Sequence, residues 1–134
     1  MYQKIILSLA LNHGISEQAI QTARAMLTEG GQIIAVHVYE QYQGSSAVGI
    51  SSEAMAKGLQ NTKELLVSRV ADADDLESVL LKGHSGFSIT EYAEKINADC
   101  IIVGSHKPGL RDYFLGSTAA RIVRHAPCSV HVLR

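Results

Sequence analysis

With 134 residues, 46% of them hydrophobic and 19% charged, the chain has the length and composition of one globular domain able to bury a core. A formal net charge of −1 gives no general attraction to nucleic acid or to an anionic membrane, and the longest apolar runs are far too short to span a bilayer. The two cysteines, Cys100 and Cys128, form no Cys-x-x-Cys pattern, so they suggest neither a redox motif nor a zinc site; buried reduced thiols in a cytoplasmic protein are expected.

The chain alternates short apolar runs with helical patterns. It reaches an apolar run almost at once, with no basic leader or small-residue cleavage site, which predicts a first strand over Lys4 to Leu11 and not a signal peptide. A first helix follows, with Ser16 as its N-cap, Ile20, Ala23 and Leu27 on one face, and Gly30-Gly31 closing it. The second apolar run is Gln32 to Tyr39, followed by a polar loop from Glu40 to Gly49. A second helix begins near Ser52, with Met55, Leu59, Leu66 and Val70 at helical spacing. The third run is Ser78 to Lys82. The sequence Ser88-Ile89-Thr90-Glu91 reads as a capping box opening a third helix, with Ile89, Tyr92, Ala93 and Ile96 as its apolar face. The fourth run, Cys100 to Val103, leads into a loop from Gly104 to Leu115. A short last helix starts at Gly116-Ser117-Thr118, and a fifth run covers Ser129 to Leu133.

Strand and helix in alternation predict an α/β domain with a parallel sheet covered on both faces. Continuous apolar strands suit that burial better than alternating ones. Such a sheet takes its ligands beyond the carboxyl ends of its strands. The residues expected there are Ala10 to His13, Val38 to Glu40, Lys82 to Gly86, and Gly104-Ser105-His106-Lys107 after Val103. Gly104 ends a strand where a missing side chain lets a ligand approach the backbone. Gly116-Ser117-Thr118 opens a helix, whose free N–H groups and positive end suit a phosphate. On local pattern alone, a simple turn at Gly104 and an ordinary helix cap at Ser117 stand as the alternative.

Other groupings carry less. His13, His84 and His106 fall near strand ends, but they come from separate loops with no supporting cysteine or carboxylate spacing, so no metal site is expected. His37 and His131 lie inside strands, where hydrogen-bonded structural roles are expected. No Ser-His-Asp, Cys-His or paired-carboxylate arrangement can be assembled from the strand ends, so no catalytic residue is assigned. Asp72, Asp74 and Asp75 fall at the opposite edge of the sheet.

Gly104-Ser105-His106-Lys107-Pro108, then Leu115-Gly116-Ser117, then Val123 to Val130 resemble the carboxyl-terminal signature of universal stress proteins. The opening Lys4-Ile5-Ile6-Leu7 and the strand Val36-His37-Val38 also resemble that family, so the likeness runs along residues 1–134, read as one domain. The resemblance implies a doubly wound, five-stranded parallel sheet in the order 3-2-1-4-5. It implies a site for ATP or another adenine nucleotide, with Val38 against the adenine, and Gly104, Gly116, Ser117 and Thr118 at the ribose and phosphates. Ala10, Gly83, Val103, Ser105, His106 and Lys107 complete the candidate set. It also implies a homodimer through the last strand, Val130 to Leu133, acting on an unidentified regulatory protein partner. Any ATP hydrolysis or autophosphorylation would be slow; neither nucleic-acid binding nor membrane insertion is expected.

Two departures bear on the site. Binding members carry Gly, two residues, Gly, nine residues, Gly, then Ser or Thr. Here Lys107 replaces the second Gly and the loop to Gly116 is one residue shorter, as in a subset with a Ser-His-x-Pro loop. Binding members also usually carry Asp at the end of the first strand, where this chain has Ala10. The alternative function is therefore a nucleotide-free interaction protein of the same fold that has lost the adenosine contact.

Overall fold

A computed structural model describes residues 1–10, 17–40, 49, 51–105 and 115–134. Nine elements follow in chain order among these residues: β1 (Tyr2–Ser8), α1 (Glu17–Met26), β2 (Leu27–Tyr39), α2 (Ser52–Val70), β3 (Leu76–Lys82), α3 (Ser85–Lys95), β4 (Cys100–Gly104), α4 (Ser117–His125) and β5 (Ser129–Leu133). The five strands form one sheet in the order β3-β2-β1-β4-β5, with every neighbouring pair parallel.

The apolar runs become the central strands because both faces of the sheet are covered. Ile5, Ile6 and Leu7 are at most 1% exposed, although a strand points them alternately to opposite sides. Ile5 and Leu7 join a core with Ala19, Ile20 and Ala23 of α1 and Val70 of α2. Ile6 joins a second core with Ile89 and Ala93 of α3 and Ala119 and Ile122 of α4. Each such side chain contributes roughly 1.5–3 kcal/mol on burial. No helix among the described residues is long and apolar enough to cross a membrane.

The start of β1 is tied to the turn before β4. Asp99 Oδ2 accepts the N–H groups of Gln3 and Lys4 at 2.8 and 2.9 Å, and the Asp99 N–H donates to the Lys4 carbonyl at 2.9 Å. The Lys4 ammonium donates to the Ile96 carbonyl at 2.8 Å.

Three expected boundaries are corrected. The first helix stops at Met26, and Leu27 opens β2 by pairing with Tyr2. The next registered pair is Lys4 with Gln32, so the run from Leu27 to Gln32 on β2 faces the shorter step from Tyr2 to Lys4. Gly30, with φ of +77°, and Gly31, where a Cβ would lie 2.8 Å from the Gln3 carbonyl oxygen, absorb that surplus. The glycine pair thus builds a bulge inside a strand and not a helix stop. The third helix begins at Ser85, not at the capping box: the Ser88 N–H donates to the His84 carbonyl at 2.8 Å, which places Ser88 in the first turn. Gly83, at φ +133°, turns the chain directly after β3 and makes the earlier start possible. The first strand ends at Ser8, whereas Leu11 and the proposed cap Ser16 lie outside the described residues.

Candidate functional site

A crevice of about 880 Å³ opens at the carboxyl ends of the strands. Its floor is the ends of β1, β2 and β4, where the connection order reverses and neighbouring loops part to opposite faces. Gln18 and Ala19 of α1 and Thr62 and Leu65 of α2 form one wall; the first turns of α3 and α4 form the other.

Eight of the sequence-derived candidates line this space: Ala10, Val38, Val103, Gly104, Ser105, Gly116, Ser117 and Thr118. Gly83 is not on its wall: it turns the chain after the edge strand β3, and its N–H donates to the Tyr39 carbonyl at 3.1 Å. His106 and Lys107, with the rest of the expected Ser-His-x-Pro loop through Pro108 and Arg111, lie outside the described residues, as does His13.

Backbone geometry shapes the β4 side. The Ser105 N–H donates to the Leu133 carbonyl at 2.7 Å, which prolongs the β4–β5 pairing. The Ser105 carbonyl accepts the Gly116 N–H at 2.6 Å, so the entry to α4 is pinned beside the end of β4. Ser105 itself is 3% exposed. Among the described residues, a Cβ built on Gly104 would meet nothing within 4 Å, so neither their packing nor its φ demands the glycine. Gly116 caps α4 with φ −58° and ψ 154°, and no side chain caps that helix. The first-turn N–H groups of α4 therefore face the crevice without a carboxylate or hydroxyl acceptor supplied by the N-cap.

The β1–β2 side is held by hydrogen bonds between the strand ends. The Leu9 N–H donates to the Val36 carbonyl at 2.9 Å, and His37 Nδ1 lies 2.9 Å from the Leu9 carbonyl, the structural role expected of a strand histidine. Ala10 is exposed on the crevice wall.

Glu40, Ser85 and Thr118 were not assembled from the sequence as a group. Glu40 Oε1 accepts the Ser85 N–H at 3.1 Å, which satisfies the first turn of α3 in place of a local cap. Ser85 Oγ lies 3.0 Å from Thr118 Oγ1, linking the first turns of α3 and α4. Arg121 and His84 add a second link: Arg121 Nη1 is 2.8 Å from His84 Nε2, and its guanidinium lies 4.7 Å over the Phe87 ring. The readable signal for the first set was an acid directly after β2 and a serine directly after a Gly-His turn, but residues 40 and 85 meet only through the fold. Among the described residues, no three His, Cys, Asp or Glu side chains gather to hold a metal on their own.

The comparisons with known proteins agree with this architecture. The family model described as the universal stress protein family matches residues 1–134. Universal stress protein G of Salmonella typhimurium is 27% identical over 145 aligned residues, covering 100% of both chains. The solved structure of hypothetical protein MJ0577 superposes with a TM-score of 0.71 at 24% identity, over 99% of this chain and 96% of that one. The universal stress protein of Archaeoglobus fulgidus in complex with dAMP gives a TM-score of 0.59 at 17% identity, over 99% and 98% of the two chains. A universal stress protein in complex with cAMP gives 0.59 at 19% identity, over 99% and 97%. At these identities the superpositions establish a shared fold.

Proposed function

The chain belongs to the universal stress protein family, and from that premise we propose that it is a regulatory module binding ATP or a related adenine nucleotide in the crevice. The observation that carries this reading is Gly104: among the described residues nothing lies within 4 Å of the Cβ it lacks, and the first turn of α4, whose N-cap Gly116 has no side chain to bond it, borders the same space. In this reading Val38 lies against the base and Gly104 under the ribose. The N–H groups of Ser117 and Thr118 bind phosphate, favoured by the positive end of α4. Val103, Ser105 and Gly116 shape the wall, and His106 and Lys107 belong to the same binding loop. Two relatives of the fold were solved with adenine nucleotides, cAMP and dAMP, which supports the ligand class.

The module acts as a homodimer through β5, an edge strand of the sheet, and occupancy of the crevice changes its binding to a regulatory protein. Residues 1–134 form the nucleotide-binding unit. Calorimetric titration with ATP tests the central point, with Gly116→Val as the control. The variant should fold and lose at least about tenfold in affinity, because added bulk keeps the phosphates from the backbone. Equal ATP affinity in the two folded proteins removes the phosphates from α4. Light scattering at micromolar concentration tests the dimer, and a monomer there rules it out.

A second reading is favoured by Ala10, which puts no acceptor on the crevice wall where nucleotide-binding relatives usually carry an acid. The protein is then a nucleotide-free interaction module of the same fold. Absence of heat with ATP in a folded dimer selects it.

A further inference from the structure

We propose that Tyr39, held in place by Gly58 of α2, is the stacking platform for the nucleotide base, which is gripped by its face and not read by its edge. The inference rests on the nucleotide reading above and adds a residue outside its binding set. Among the described residues lining the crevice, Tyr39 is the one aromatic side chain besides His37 and His84. Both imidazoles are committed, His37 to the Leu9 carbonyl and His84 to Arg121.

The Tyr39 ring is fixed at both ends. Its residue pairs with Lys82 of β3, and the Tyr39 carbonyl accepts the Gly83 N–H at 3.1 Å. At the far end its hydroxyl lies against α2 at Gly58. A Cβ on Gly58 would stand 2.7 Å from that oxygen, too close for a real contact, and 3.8 Å from Cζ, an ordinary distance. Glycine inside a helix is a poor choice for the helix itself. Here it makes room for the tip of Tyr39. A ring anchored on β2 and tucked against α2 is oriented before any ligand arrives, so little side-chain freedom is lost when a base covers it.

The surroundings suit a flat, apolar ligand face. Thr62 and Leu65 of α2 line the same wall, and the Thr62 hydroxyl turns back to donate to the Gly58 carbonyl at 2.9 Å. Val38, the base contact of the reading above, precedes Tyr39 in the strand, so a base over the end of β2 has both within reach. Groups that read a base edge are scarce there. Ala10 brings no acceptor, and Gln18 brings an amide that is donor and acceptor at once and fits adenine or guanine alike. Stacking tolerates a change of base, because every base has a π face.

ATP and GTP are titrated calorimetrically into the native protein, Tyr39→Leu, Tyr39→Phe, Gly58→Ala and the double variant carrying Tyr39→Phe with Gly58→Ala. The native protein should favour ATP over GTP by less than about threefold. Tyr39→Leu should weaken both nucleotides about tenfold, whereas Tyr39→Phe keeps the native affinity. Gly58→Ala should weaken both about threefold although its urea midpoint does not fall, because alanine suits the helix but displaces the ring. The double variant should recover the native affinity, since without the hydroxyl the added Cβ meets Cζ at 3.8 Å. A loss that Tyr39→Phe repairs does not follow from general damage to the crevice. A native preference for ATP of tenfold or more means that the base edge is read and overturns the proposal. So does a Tyr39→Phe protein that loses as much as Tyr39→Leu, or a double variant no better than Gly58→Ala alone. If ATP binds all five proteins equally, Tyr39 has no such role while the nucleotide reading stands. If the native protein binds no ATP, both fall.

Discussion

Replacing Gly86 by Ala tests how α3 and α4 are set against each other. In an ordinary helix interior this change stabilises by up to about 1 kcal/mol, and less near the first turn. Gly86, however, is buried with Arg121 directly across from it. An added Cβ would lie 2.7 Å from Arg121 Cδ and 2.9 Å from both its Cβ and its Cγ. Cγ and Cδ can swing away, but that gives up the Phe87 stack and the His84 contact, roughly 0.5–1 kcal/mol each at an exposed site. Arg121 Cβ is fixed to the backbone of α4, so the helix itself must retreat by about half an ångström to restore ordinary contact. Overpacking of that kind costs about 1–3 kcal/mol. The net expectation is a loss of about 1–2 kcal/mol. Urea denaturation followed by circular dichroism should show a lower midpoint with an unchanged slope. Adding Arg121→Ala to Gly86→Ala removes the Cγ and Cδ overlaps but not the Cβ one, so it should recover only part of the loss. A Gly86→Ala protein as stable as the native one, or more so, means that this contact does not set the spacing of the two helices.

Three further outcomes follow from the structure. Ala10→Asp should strengthen ATP binding and raise the preference for ATP over GTP, since a hydrogen bond to a charged acceptor is worth about 1.5–3 kcal/mol, or roughly tenfold to hundredfold; paired titrations measure it, and unchanged affinities remove this position from the adenosine contacts. The Asp75 carboxyl sits below its usual range because Arg24 donates to it, at 2.8 and 2.6 Å. A lowered folded-state value gives stability that is present above the unfolded Asp value, near 3.9, and is lost as pH falls through the folded one. The pair is about half exposed, so the contribution is small and salt-sensitive. The stability gap between native protein and Asp75→Asn should therefore be measurable at pH 6 in low salt and shrink steadily as pH falls below the unfolded Asp value; a gap that does not shrink in acid would falsify the ion-pair origin. Burial, then the neighbouring Cys128, pushes the Cys100 thiol up to about 11, so iodoacetamide at pH 8 should leave Cys100 unmodified in the folded protein and label it in urea, as read by mass spectrometry. Equal labelling rates in the two states contradict its place in β4.

The strands were legible because their apolar runs are continuous, and continuity is what burial on both faces demands of Ile5-Ile6-Leu7 or Ile101-Ile102-Val103. The places of Gly104 and Gly116-Ser117-Thr118 on the crevice wall were legible because one ends a continuous apolar strand and the others open a helix. Local patterns misled where a distant partner substituted for a local one. Ser88 to Glu91 has the form of a cap, yet Glu40 satisfies the Ser85 N–H from across the fold, and Gly83 lets the helix begin there. Gly30-Gly31 has the form of a helix stop, yet strand pairing with Tyr2 claims Leu27 first. Glu40, Ser85 and Thr118 carry no shared signal along the chain, because three separate connections bring them together.

The tie between Asp99 and the start of β1 joins parts of the chain that are made far apart in time. β1 pairs with β2 after an interval of about thirty residues, but its other neighbour, β4, lies 95 residues further on by the Ile5–Cys100 register. Loop closure over the longer span is slower, and a ribosome adds residues one by one from the amino end. In a chain with only β1, β2 and β3 paired, β1 would be the border of the sheet, with Ile5, Ile6 and Leu7 beside open backbone. The finished protein places that edge in its centre, so β4, from the last third of the chain, covers a strand from the first.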